Sequence, residues 1–415
     1  MQEAFIIDTV RTPRGIGKVG KGALSHLHPQ QLAATVLKAI QSRNHLNTAD
    51  VEDVVWSTST QKGKQGFDLG RQAALLAGYD IRASGVTLDR FCGGGITAVN
   101  IAAATIMSGM GDVVIAGGAE MMSYVNQRNT EEANAGVKLA DMTADNPRLM
   151  EMHPQSHQGV CADAIAAMEG VSRGDVDALA CESQTRAKIA IDGGRFAKSV
   201  TPVYNEDGTL ALDHEEFPRP DTTPETLSAL KPSFQALADY PINGKTFRQI
   251  IQQKYPALTW EGVHHAGNSS GVVDGAAAVL LATKSYATAK GLKPRARIVA
   301  FANIGDCPTL MLNAPVPAAK KVLARAGLTI HDIDLWEVNE AFAVVAEKFI
   351  RDLRLDRDKV NVNGGACALG HPIGATGAIL IGTVLDELER RDLKRGLVTM
   401  CAAAGMAPAI IIERV

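Results

Sequence analysis

At 415 residues, with 46% hydrophobic residues, 21% charged residues and a formal net charge of −3, the chain is longer than one ordinary core accommodates. Its Lys and Arg are scattered, which excludes a nucleic-acid stripe and a polybasic membrane patch. Six cysteines, at 92, 161, 181, 307, 367 and 401, form no Cys-x-x-Cys pair and no framework spacing, so structural zinc and a disulfide scaffold are both poor readings and a reducing compartment is expected.

The opening MQEAFIIDTVRTP enters a strand directly, without the basic region and apolar core of a signal peptide. Ala4–Val10 reads as a buried strand, Pro29–Ser42 as an amphipathic helix, Val51–Ser59 as a strand and Asp68–Gly78 as a helix. A β-type run then ends at Arg90-Phe91, followed by Cys92, three glycines and a long segment of Ala and Ile that reads as a buried helix. A helix N-terminus there would place partial positive charge beside the Cys92 sulfur and depress its thiol pKa, making a ready nucleophile. On residue type alone a free cysteine is more often a small buried hydrophobe.

From about Tyr124 to His265 the composition turns polar and rich in Pro and Asp, with short helices over Val160–Gly170 and Asp175–Asp192. This stretch reads as an inserted subdomain. After Asn268 the alternation of strands and helices returns, and a weak internal repeat emerges. Glu3–Thr12 parallels Arg295–Gly305, and Cys92–Gly117 parallels His371–Cys401. The expected architecture is an α/β layered fold of two similar halves about a pseudo-twofold: 1–123 with 266–293, an insertion over 124–265, and 294–415. Such packing would bring Cys92 and His371 to one central site. No uninterrupted apolar segment is expected to cross a bilayer, and the C-terminal Ile-Ile-Glu-Arg-Val carries no peroxisomal address, so a cytoplasmic protein is expected.

Three further stretches carry chemistry. Val338-Asn339-Glu340-Ala341-Phe342 opens a helix, NVNGGACALGHPIGATGA holds His371 in a glycine-rich turn, and TMCAAAGM places Cys401 at a strand end. With RFCGGG, and with RTP, GRQAALLAG, GGAEMMS, EEFPRPDTT and AGNSSGVVDGAAA in matching order, the chain resembles the thiolase family over nearly its whole length. The resemblance implies reversible acyl transfer between coenzyme A thioesters, in which 3-ketoacyl-CoA plus CoA gives acetyl-CoA plus a shortened acyl-CoA. CoA and acyl-CoA are then substrates, with no permanently bound cofactor and no metal. Such chemistry needs a nucleophile to hold the acyl group, a base for the carbon beside the thioester and donors for two oxyanions.

By the same resemblance Cys92 carries the acyl group, His371 activates it, Cys401 exchanges the C2 proton and Asn339 holds a water in one oxyanion hole. The backbone N–H groups of Cys92 and Ala403 form the other. Arg219 and Ser270 match CoA-contacting positions, while His157 and Phe342 match the pocket wall. Family members are dimers or tetramers, so a homodimer or homotetramer is expected, the tetramer through the loop around Asn126–Gly136, with β-oxidation enzymes as partners. The chain departs from the family at Gly93-Gly94-Gly95, at Gln158 and Cys161, and at Ala403, whose Cβ narrows a loop where glycine is usual. It also carries a longer connection between Phe234 and Ala266. A ketosynthase-type condensing enzyme and a non-catalytic CoA-thioester-binding subunit are the alternatives.

Overall fold

The computed structural model describes residues 2–137 and 140–415. In chain order the first half contributes β1 (Phe5–Arg11), α1 (Pro29–Asn44), β2 (Asp53–Ser57), α2 (Leu69–Leu76), β3 (Ser84–Leu88), α3 (Gly94–Ser108) and β4 (Val113–Met121). The insertion carries α4 (Gln158–Met168) and α5 (Arg173–Asp192). Then follow β5 (Val273–Ala282), β6 (Ala296–Gly305), α6 (Pro315–Ala326), β7 (Leu335–Val338), α7 (Ala343–Leu353), α8 (Ile373–Arg390), β8 (Arg395–Thr399) and β9 (Met406–Arg414). The expected elements form, with ends shifted where caps decide them. Asp68, expected inside α2, instead caps it by accepting from the Arg71 N–H, and α1 runs two residues further to the left-handed His45.

Among the described residues these strands form one ten-stranded sheet in the order β7-β8-β9-β6-β1-β5-β4-β2-β3, with the short strand Gly15–Ile16 beside β5. The order mirrors itself about the seam where β1 meets β6 through Phe5–Arg297 and Ile6–Ala296. Outward from the seam, β5, β4 and β2 on one side answer to β9, β8 and β7 on the other. Both the β4–β2 and β8–β7 pairs are parallel. Helix α3 directly precedes β4 as α8 precedes β8, so the repeat seen in the sequence is a repeat of topology. The strands β1, β4 and β5 are buried along their whole length, as expected for a sheet covered on both faces.

Side chains alternate along these strands between two cores. Phe5 and Ile7 pack with α1 and α2, whereas Ile6 joins a central core with α3, α8 and strands of both halves. The central helices meet through glycine. A Cβ on Gly377 of α8 would stand 2.1 Å from the Ile96 N, and one on Gly95 of α3 would stand 2.8 Å from the Gly377 N. One correction concerns membranes. Phe91–Ser108 is long and apolar enough to cross a bilayer, with mean hydropathy 1.4, yet 67% of that window is buried inside the fold, as a core helix requires.

Because the obstructing atoms at Gly377 are backbone, nothing can rotate away from an added side chain. Gly377→Val is expected to destabilise the protein by about 3 kcal/mol. An unchanged denaturation midpoint would mean that the helix crossing tolerates separation.

Candidate active site

Cys92 lies in a single 3-10 turn, Phe91–Gly93, between β3 and α3. The turn is tight enough that Phe91 adopts a left-handed φ of 48°, unusual for an aromatic residue. A Cβ on Gly93 would stand 2.7 Å from Pro408 and 3.4 Å from the Ala402 Cβ, so the cysteine turn is pressed against the loop that holds Cys401. The glycines after Cys92 are thereby accounted for by close packing.

His371 sits two residues before α8, and its main-chain N–H donates to the Gly271 carbonyl at 2.9 Å. Its Nδ1 lies 2.6 Å from the Thr376 hydroxyl, which itself donates to the Pro372 carbonyl at 2.9 Å. Toward the ring Thr376 can therefore only accept. Nδ1 carries the proton and Nε2 is left as a bare acceptor, buried and without a partner among the described residues. Burial, reinforced by the Arg14 guanidinium, pushes the imidazolium pKa down to about 3, so the ring is neutral.

Asn339 and Cys401 follow the carboxyl ends of the parallel neighbours β7 and β8, which sets them side by side. The Asn339 N–H donates to the Thr399 carbonyl at 3.3 Å, while both atoms of its side-chain amide are buried and unpartnered among the described residues. Burial raises the Cys401 thiol above its usual range, and the nearby Cys92 sulfur raises it further. The N–H groups of Cys92 and Ala403 enter no backbone–backbone hydrogen bond among the described residues.

Two expectations are corrected. At Cys92 burial outweighs the lowering by the local backbone N–H and pushes the thiol up to about 12. Nor does the strain of the late loop fall on Ala403. The left-handed residues are Ala404, at φ 60°, and Gly405, at φ 75°.

Two carboxylates hold this arrangement, Glu340 and Glu120, and sequence reasoning passed over Glu120. Glu120 at the end of β4 accepts from Thr58, Ser59 and Gln65, and from the Gly374 N–H of α8 at 3.0 Å. Glu340, in the NEAF motif, is buried, only 3% exposed. It accepts from the Ser183 hydroxyl, the Asn361 amide and the Cys367 N–H, and so fixes the glycine-rich turn before His371. Both are held above the usual carboxylate range by burial. The motifs GGAE and NEAF contained these residues, but their partners lie far away in sequence.

Beside the site is a cavity of about 660 Å³ lined by Arg219, Ser269, Ser270, Phe234 and Cys367, among others. The Ser270 and Gly271 N–H groups donate to the Ala341 and Ala366 carbonyls, so this wall is stitched to both the Asn339 and His371 loops. Arg219 is exposed at the rim and donates its N–H to Gln184. His157 and Phe342, expected on the wall, stand behind it instead. Each packs its ring on Phe234 at 5.7 Å. In the longer connection, His264 and His265 are buried structural residues, bonded at 2.7 and 2.8 Å to Asp163 and Asp177. No group of His, Cys, Asp and Glu suited to a metal ion occurs among the described residues.

Comparison with known proteins agrees with the motif order. The thiolase N-terminal domain family matches residues 4–238 and the thiolase C-terminal domain family residues 292–414. The chain is 40% identical to a beta-ketoadipyl-CoA thiolase of Escherichia coli and 39% identical to a 3-ketoacyl-CoA thiolase of Shewanella denitrificans, in both cases over 100% of each protein. It also superposes on the crystal structure of the Bacillus anthracis acetyl-CoA acetyltransferase with a TM-score of 0.82 and 31% identity, covering 100% of this chain and 99% of that one. The chain belongs to the thiolase family and is an acyl-CoA acyltransferase.

Proposed function

We propose that the protein interconverts 3-ketoacyl-CoA plus CoA with acetyl-CoA plus a shortened acyl-CoA by a ping-pong route through an acyl group on Cys92. The observation that supports this most is the pair of buried thiols, Cys92 and Cys401, close enough for one to raise the other, with the bare His371 Nε2 at the start of α8, which packs on the Cys92 turn, and the unpartnered Asn339 amide after the strand beside that of Cys401. In the resting site Cys92 and His371 are both neutral, since burial moves their pKa values apart, to about 12 and about 3. Proton transfer to Nε2 therefore accompanies attack rather than preceding it.

As the Cys92 sulfur bonds to C3 of the ketoacyl group, its proton passes to His371 and the oxyanion meets the N–H groups of Cys92 and Ala403. The C2–C3 bond breaks, and Cys401 gives its proton to C2 of the departing acetyl-CoA, whose enolate oxygen is met by Asn339 through a water. CoA then attacks the acyl carbonyl and surrenders its proton to the Cys401 thiolate. Cys92 leaves as thiolate and recovers the proton held on His371, which closes the balance.

Arg219 and Ser270 are proposed to hold CoA in the cavity they line. Phe234 on the cavity wall, backed by Phe342 and by His157, the last kept below its usual pKa by burial, supports an apolar acyl chain over a dicarboxylic one. We also propose a cytoplasmic enzyme, divided at 1–123 with 266–293, 124–265 and 294–415, and working beside β-oxidation enzymes. Exposed Phe67 and Ile81 near the open edge strand β3 support a homodimer or homotetramer.

Two measurements test the reading. Purified protein is expected to cleave 3-ketohexanoyl-CoA with CoA, and to do so with a higher kcat/KM than 3-ketoadipyl-CoA. Cys92→Ala should abolish both reactions, and Cys401→Ser should still form the acyl-enzyme from acetyl-CoA while losing condensation. Turnover by Cys92→Ala would dismiss the nucleophile, and absence of wild-type cleavage would favour the binding-subunit alternative. The second measurement follows the base. At pH 8 a thiol with a pKa of about 12 is ionised in only about 1 molecule in 10,000, so alkylation depends on His371. His371→Ala is expected to slow iodoacetamide labelling of Cys92 by on the order of 100-fold; equal rates would remove His371 from that role.

A further inference from the structure

Outside the active site one thiol is met by two donors from a separate loop. Cys307 lies in the connection between β6 and α6 and is partly exposed. Lys254 Nζ donates to its sulfur at 3.3 Å, and the Tyr255 hydroxyl lies 3.4 Å from it. Both come from the longer connection between Phe234 and Ala266. Two donors, an ammonium and a phenol, thus converge on one sulfur, an arrangement suited to an anion. Although burial opposes ionisation, hydrogen bonding to the sulfur outweighs it and holds the thiol below its usual value. Tyr255 is kept protonated, by burial first and by Cys307 second, and so remains a donor.

The cluster abuts the active-site loop. The Asp306 N–H donates to the Gly405 carbonyl at 2.6 Å, and a Cβ on Gly405 would stand 2.6 Å from the Asp306 carbonyl. Lys254 itself is exposed, so a molecule in solution reaches the pair.

We propose that Cys307 and Lys254 form an acyl-relay site that takes acyl groups from acyl-CoA and fixes them on Lys254 as amides. This rests on the function above only in taking acyl-CoA as the compound the protein meets. The Cys307 thiolate attacks the thioester carbonyl, a C–S bond forms to Cys307, and CoA leaves as its thiolate. Lys254, after losing one proton to water, attacks the new thioester. The amide bond forms, the C–S bond to Cys307 breaks, and the second nitrogen proton passes to the departing sulfur. Overall one ammonium and one acyl-CoA become one amide, one CoA thiol and one proton. Holding amine and thioester within about 3.5 Å replaces an encounter from solution by an intramolecular step. The product lacks the positive charge that faced Cys307.

The test uses the full chain carrying Cys92→Ala, so that active-site acyl transfer plays no part, incubated with acetyl-CoA at pH 8 and mapped by peptide mass spectrometry. Lys254 is expected to be acetylated at least about tenfold faster than the exposed Lys62 and Lys394. Adding Cys307→Ala should lower Lys254 to their rate, and adding Lys254→Arg should leave a hydroxylamine-labile acetyl group on Cys307. An unchanged Lys254 rate in the Cys307→Ala protein, or no labile group on Cys307 in the Lys254→Arg protein, would overturn the relay. If wild-type protein failed to cleave 3-ketoacyl-CoA while Lys254 was still acetylated through Cys307, only the proposed function would fall.

Discussion

The close crossing of α3 and α8 is the constraint on which the rest of the site depends. Cys92 stands two residues before one of these helices and His371 two residues before the other. Neither residue is placed by its own loop alone. Glycine at 95 and 377 lets the two backbones approach to a distance that a single methyl group would forbid, and this draws the two helix starts together. Because the helices come from different halves of the chain, the site exists only where the halves meet.

Buried carboxylates complete what the crossing begins. Glu120 ties β4 to the first turn of α8, and Glu340 ties the helix that follows β7 to the turn before His371. Each replaces lost hydration with several donors, as a buried anion must. The groups proposed to react are treated in the opposite way: the His371 Nε2 and the Asn339 amide have no protein partner among the described residues. Supporting groups are saturated while reacting groups are left open, which is how a preorganised site holds bonding capacity for its substrate.

Much of this was legible in the sequence, for definable reasons. Strand and helix periodicity, the internal repeat and the glycine-flanked Cys and His turns are local patterns, and they predicted elements within a few residues and the pairing of the halves. The errors came where distant atoms decide. A helix start predicts a lowered Cys92 thiol, but burial by α8 and the Cys401 loop is a property of the whole fold and outweighs it. The partners that hold Glu340, Ser183 and Asn361, are remote in sequence, and His264 and His265 could not be paired with Asp163 and Asp177 for the same reason. Phe91–Ser108 is strongly apolar because the core takes up two-thirds of it, leaving only one side, with Ile101, open.

The wall formed by Ser270 and Gly271 has a kinetic meaning. It is hydrogen-bonded in sequence to Ala341, Ala366 and His371, so, with CoA in the cavity as proposed, the surface that a long substrate would press on is continuous with the main chain that carries the imidazole. Contacts made far from the scissile carbon are thus converted into alignment at it. A short thioester lacking the nucleotide end would forfeit turnover as well as affinity, because the remote part of the molecule supplies the free energy that holds the reacting groups in register.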